Sequence, residues 1–254
     1  MIFYGAEHHI LVLSDTIDAD VHKHSFIQVT IALEAPFDMD IEGEPICSSG
    51  VIINSNVTHR LHGMGQPLLL LLMDSTSTMA ASFKHYMGSQ PYALFPAEII
   101  VDAVAPFVQN TSPHVKDTDG YVSFLEKLMQ HLHLDYMQPA MTDPRIKKLI
   151  QLIKACTDSD HSIGHFASQI GLSNSRLSHL FKENTGISLS GYILLHKLQK
   201  ASYLIFQGLR ITDAAMAAGF DSPSHLAATS KKLLGMTAKD IRKDSVFLQV
   251  SCLH

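Results

Sequence analysis

The feature that most constrains this chain is an internal repeat in its C-terminal half. Ile163-x3-Ala167-x3-Gly171 returns as Ile211-x3-Ala215-x3-Gly219, an offset of 48 residues. Leu177, Lys182 and Gly186 return as Leu226, Lys231 and Gly235, offset by 49, which places one extra residue in the second turn. A period of this size means that one supersecondary unit is built twice. Each copy reads as helix, turn, helix: a small Ala lets two helices approach closely, a Gly supplies the turn, and a polar cap opens the second helix. Ser173 or Asn174 is placed to cap the first copy, and Asp221 or Ser222, followed by Pro223, the second. Between the copies residues 188–206 read as one long helix, roughly 28 Å at 1.5 Å per residue. That is close to the ~34 Å turn of DNA separating two recognition helices that enter successive major grooves on one face.

Charge divides the chain at about the same place. Residues 1–140 carry 5 Lys and Arg against 16 Asp and Glu, whereas the remaining residues carry 14 against 8, so an acidic half of −11 precedes a basic half of +6. Such asymmetry fits one half that meets a polyanion.

The acidic half opens with short apolar runs at residues 10–13, 26–33, 51–53 and 68–73, bounded by turn residues, which read as strands of a small barrel or sandwich. From Thr76 the period becomes helical, with Met79, Phe83 and Met87 in step. A later stripe of Val122, Leu125, Leu128, Met129 and Leu132 either pairs two subunits or packs on its own sheet. Residues 137–144 break the pattern, and Asp143-Pro144 suits the cap and first turn of a new helix. The boundary therefore falls between a domain of residues 1–138 and one of residues 139–254, the second read as helical throughout. No apolar run approaches the ~20 residues of a membrane span, and the first residues lack the pattern of a signal peptide. Cys47, Cys156 and Cys252 are odd in number and widely spaced, indicating neither a disulfide framework nor a thiolate zinc site, and a reducing cytoplasm fits them.

Gly219-Phe220-Asp221-Ser-Pro-Ser-His-Leu226, continuing through Lys231 and Gly235-Met-Thr237 to Ile241-Arg242, resembles the signature of AraC/XylS-type transcription regulators. So does Ala167-x3-Gly-Leu-Ser173 through Leu180-Phe-Lys182-Glu-x-Thr-Gly186. The resemblance covers residues 143–243. It departs at Ser230 where Phe is usual, Ala238 where Pro is usual and Ala228 where Arg is common. It implies a soluble regulator of double-stranded DNA, a homodimer with RNA polymerase as a further partner. Ser175, Arg176, Ser178, His179 and Lys182 would lie on the first reading helix, and Ser224, Ala227, Lys231 and Lys232 on the second.

Members of that family often carry an N-terminal cupin-like barrel, and the segment from Val21 to Val29 resembles one cupin motif while Gly50 to His59 resembles the next. The fold expected is thus α+β: a cupin-like β-barrel with helices, then an all-α domain with two helix-turn-helix motifs. A period of two places His22, His24, Phe26 and Gln28 on one strand face. His22, His24, Gln28 and His59 match the positions where metal cupins hold two His, one Glu and a further His. The expected effector site is this set, either as polar lining for a small molecule or with the three histidines ligating Zn, Fe, Ni or Cu. No cofactor other than such a divalent metal is expected. His62 is a substitute ligand or a loop residue, and His131 and His133 fall on different helix faces. Two rival readings remain: a cupin metalloenzyme, a dioxygenase or isomerase with a helical appendage, and a protein that regulates by binding another protein.

Overall fold

The computed structural model describes residues 2–6, 8–15, 17–95, 117–135, 137, 143–156, 162–234 and 247–250. The boundary expected at residues 138 and 139 and the motif residues from Gly235 to Arg242 lie outside them. The strands are β1 (Ile2–Ala6), β2 (His9–Ser14), β3 (Ala19–His22), β4 (Ile27–Ala32), β5 (Phe37–Ile41), β6 (Glu44–Ser48), β7 (Gly50–Ile53), β8 (His59–His62), β9 (Leu68–Met73), β10 (Tyr92–Leu94) and β11 (Phe247–Val250). The helices are α1 (Thr78–Met87), α2 (Thr118–His131), α3 (Pro144–Ala155), α4 (Ile163–Ile170), α5 (Asn174–Thr185), α6 (Leu189–Phe206), α7 (Ile211–Ala217) and α8 (Pro223–Leu234).

The strands form two sheets, one ordered β10-β7-β4-β9-β2-β1-β11 and one ordered β3-β8-β5-β6. Leu68, Leu70 and Leu72 of β9 enter the core between the sheets with Phe37, Met39 and Leu61, while Leu69, Leu71 and Met73 enter a second core under α1 and α2. A strand buried on both faces loses the alternation of a half-exposed one, hence the unbroken apolar run of β9. The stripe of α2 is buried against this outer face, where Tyr121 stacks on Tyr4 at 4.8 Å and its hydroxyl bonds His9 Nε2 at 2.8 Å. Of the two roles open to that stripe, the structure shows packing on its own sheet.

The helical half packs onto the first core. Leu195, Leu198, Ala201 and Ile205 of α6, Ala214 and Ala215 of α7, and Leu226, Leu233 and Leu234 of α8 belong to the same buried cluster as the strands. The first motif instead has a core of its own, built from Ile146, Leu149 and Ile153 of α3 with Phe166, Leu177, Phe181 and Tyr192.

The expectation of an all-helical second half fails at β11, which pairs in parallel with β1 from Phe3↔Phe247 to Ala6↔Val250. Strand pairing here overrides local pattern, because β1 would otherwise present an unpaired backbone edge. A chain ending at residue 246 is expected to associate through that edge. Sedimentation velocity should show concentration-dependent oligomers absent from the full chain, and an unchanged profile would remove this role from β11.

Candidate nucleic-acid interface and histidine cluster

In the first motif Ser173 caps α5 by accepting from the Arg176 amide at 3.3 Å, and Gly171 takes the left-handed turn at φ 75° that a side chain would strain. With Leu177, Leu180 and Phe181 turned into the core, Ser175, Arg176, His179 and Lys182 stand exposed on the outer face. Ser178 is half-buried, and its hydroxyl donates to the Asn174 carbonyl at 2.8 Å, so its proton is engaged within the helix. In the second motif Ser222 is the capping residue, accepting from the His225 amide at 3.1 Å. Ser224, Ala227, Ala228, Lys231 and Lys232 are exposed on α8. Ser230, where the family resemblance places an aromatic residue, is wholly buried. Ala214, Ala215, Ala218, Phe220, Leu226, Leu233 and Leu234 of the second motif belong to the core that it shares with the sheets.

The frame between the motifs is α6, 18 residues long and capped by Ser188. A Cβ on Gly191 would lie 2.9 Å from Ser188 Oγ and 3.0 Å from Ser25 Oγ, so glycine permits α6 to lie against the turn before β4. At the next residue, the Tyr192 hydroxyl donates to the buried carboxylate of Asp74 at 3.1 Å. This junction, with Lys154 Nζ 4.0 Å from Asp74 and 2.8 Å from His8 Nδ1, carried no signal in the sequence, since no spacing links residues so far apart.

The histidines expected on one strand face do not share a strand: His22 ends β3, His24 lies in the connection and Gln28 is in β4. The chain turns between them, yet the side chains converge. His22, His24 and His59 are buried, with ligand atoms within 4.8 Å of one another. His59 Nδ1 donates to the Val57 carbonyl at 2.9 Å and His22 Nδ1 to that of Asp20 at 2.7 Å. Gln28 Oε1 sits 3.0 Å from His24 Nε2 and 3.2 Å from His59 Nε2. Burial, reinforced by the neighbouring imidazoles, holds His24 well below its ordinary pKa and His59 down at about 4; burial also lowers His22. The rings are therefore neutral near pH 7, the form that ligates metals, and imidazole with a neutral oxygen suits Zn, Cu, Fe or Ni. His22 Nε2 and His24 Nδ1 are buried without a hydrogen-bond partner. His62 lies apart, bonded to Asp40 Oδ2 at 3.2 Å.

A profile described as a helix-turn-helix domain matches residues 166–244. The arabinose operon regulatory protein of Escherichia coli K12 is 29% identical over 120 residues, 46% of this chain and 39% of that protein. The C-terminal half carries a helix-turn-helix domain of the AraC type. A match across most of the chain is the probable transcriptional regulator LumQ of Photobacterium leiognathi, 21% identical over 85% of this chain and 89% of LumQ. The fold of the chain is similar to that of apo ToxT from Vibrio cholerae, with a TM-score of 0.56 over 91% of this chain and 96% of that one at 10% identity. A ToxT structure with an unsaturated fatty acid bound aligns with a TM-score of 0.53 at 12% identity. Among the described residues no helix is long and apolar enough to cross a membrane.

Proposed function

We propose that the regulator reads double-stranded DNA with both motifs, α5 and α8 entering successive major grooves, under control of a sensing domain of residues 1–138 that is cupin-like and takes a small molecule or a metal ion at His22, His24, Gln28 and His59. The DNA-binding domain is then residues 139–254, and the protein acts in the cytoplasm as a homodimer that contacts RNA polymerase and catalyses no reaction. The carrying observation is the pair of capped second helices, each with an exposed face, held at the two ends of α6. At 1.5 Å per residue α6 spans about 27 Å, a length suited to two grooves on one face of the duplex. The buried polar cluster beside α8 supports sensing, because an effector there touches the element that docks the second motif. Selection of bound sequences from a random pool by the full chain, followed by footprinting, should return two half-sites about one helical turn apart. Affinity should fall steeply with salt as phosphate counterions are released. A single half-site, or binding without sequence preference, would overturn the two-groove reading.

A further inference from the structure

The first turn of α8 presents a half-buried side chain beside its exposed reading residues. His225 is the third residue of the helix, its amide held by Ser222 Oγ, and its side chain is 41% exposed. Two contacts settle the ring. Its Nδ1 lies 3.0 Å from Oδ2 of Asp221, and its plane stands at 85° to that of the buried Phe220, with centroids 5.3 Å apart. An imidazole held between an aromatic ring and a carboxylate has little rotamer freedom left, as a group that discriminates between partners requires.

The same bond fixes where the ring carries its proton. A carboxylate only accepts, so Nδ1 donates, and in the neutral ring Nε2 on the other side keeps a lone pair. Asp221, 87% exposed, adds a negative charge beside it. At these two residues the start of α8 is an acceptor surface, whereas Lys231 and Lys232 in its last turn are donors. A phosphate is itself an anionic acceptor, so it suits the lysine end and is repelled by the other. What an acceptor takes in the major groove is an exocyclic amino group, N6 of adenine or N4 of cytosine, since guanine offers N7 and O6 there and thymine O4. In helix-turn-helix complexes the N-terminal residues of the second helix are the ones that reach base edges, and His225 stands among them.

We propose that His225, its tautomer set by Asp221, accepts a hydrogen bond from one exocyclic amino group in the second half-site, so that α8 selects adenine or cytosine on the strand it faces and rejects guanine and thymine. The proposal rests on the two-groove reading given above and adds the class of base that the second motif takes. His225 touches the base, and Asp221 is a positioning residue. A single bond of this kind leaves α8 the weaker reader, because α5 exposes Arg176, His179 and Lys182.

The test uses the full chain at about pH 8, where free imidazole is neutral, and the operator that selection from a random pool returns. Selection repeated with His225→Ala should lose preference at one position of the second half-site, and that position should hold adenine or cytosine in the wild-type pool. Replacing that base by an analogue without the amino group, unsubstituted purine for adenine or pyrimidinone for cytosine, should weaken wild-type binding about 2–10-fold, the worth of one hydrogen bond. The analogue should bind His225→Ala no more weakly than the unmodified operator does, a coupling that general damage to the helix does not produce. Asp221→Asn carries an amide that accepts from Nδ1 or donates to it, which frees the tautomer. It should bind operators with guanine or thymine at that position better than the wild type does. Circular dichroism checks that each variant is folded. Wild-type binding indifferent to the missing amino group, a position that holds guanine or thymine, or an unchanged selection by His225→Ala overturns the proposal and leaves the two-groove reading standing. An unchanged base preference in Asp221→Asn overturns the positioning role. Failure to recover a second half-site would instead sink the two-groove reading itself.

Discussion

Replacing Asp74 by alanine is expected to destabilise the protein by about 3–5 kcal/mol, the scale on which loss of one partner from a buried charged network acts. Asp74 is fully buried where β9 ends. Its carboxylate accepts from the Thr76 amide at 2.8 Å, the Thr76 hydroxyl at 2.7 Å and the Tyr192 hydroxyl at 3.1 Å, with the Lys154 ammonium 4.0 Å away. Alanine removes the acceptor shared by the Thr76 amide, the Thr76 hydroxyl and the Tyr192 hydroxyl, and takes the neighbouring carboxylate from the partly buried Lys154 ammonium. At roughly 2–4 °C per kcal/mol for a chain of this size, the melting temperature should fall by about 10 °C. Asparagine keeps the volume and one acceptor oxygen, so its loss should be smaller. Tyr192→Phe removes a single bond to the carboxylate and should cost about 1.5–3 kcal/mol. Because Tyr192 sits on α6 and Lys154 on α3, the network joins the sheets to both ends of the first motif. Urea midpoints at unchanged m-value are the measurement. An Asp74→Ala protein within about 1 kcal/mol of wild type would show that this junction does not hold the halves together.

That junction also marks where reading the chain from sequence stops. The repeat was legible because each copy carries its own punctuation: Ser173 and Ser222 cap as expected, Asp143 accepts from the Arg145 amide at 2.8 Å, and Gly219 turns at φ 79°. The apolar run of β9 was legible as a strand, and the spacing of α1 as a helix. Strands β3, β5, β6 and β8 were not, since exposed polar residues such as Asp38, Glu44 and Arg60 break their apolar pattern. The convergence of His22, His24 and His59 was anticipated by resemblance, although the physical route differs: a turn at residues 23–26, not a continuous strand, brings them together. The charge split and the cores also divide the chain differently. Charge groups the second motif with the first, whereas its apolar residues are continuous with those of the sheets. A core shared between distant segments depends on docking, and no local pattern encodes it.

The two reading helices are expected to contribute unequally to operator choice. On α5, Arg176, His179 and Lys182 are exposed long or ring-bearing donors, and Arg176 can form the bidentate contact to guanine that discriminates most strongly among base pairs. Ser178 adds little, its proton being committed to the Asn174 carbonyl. On α8 the corresponding surface is Ser224, Ala227 and Ala228, where the two methyl groups offer at most contact with thymine. The lysines at its end, one resting on the Asp18 carbonyl, are suited to phosphate, which positions a protein on DNA without reading sequence. The second motif also takes its core from the sheets, so its orientation toward DNA depends on how α8 docks, whereas α5 is set by Phe166, Phe181 and the α3 leucine and isoleucines. Arg176→Ala or His179→Ala should therefore relax one or two operator positions, each by ~1–3 kcal/mol, while Lys231→Ala should weaken all sequences alike and flatten the salt slope by about one. Base-by-base substitution of the selected operator, footprinted with each variant, measures both. Second half-site changes that cost as much as first half-site changes would show that α8 reads bases through contacts its exposed side chains do not suggest.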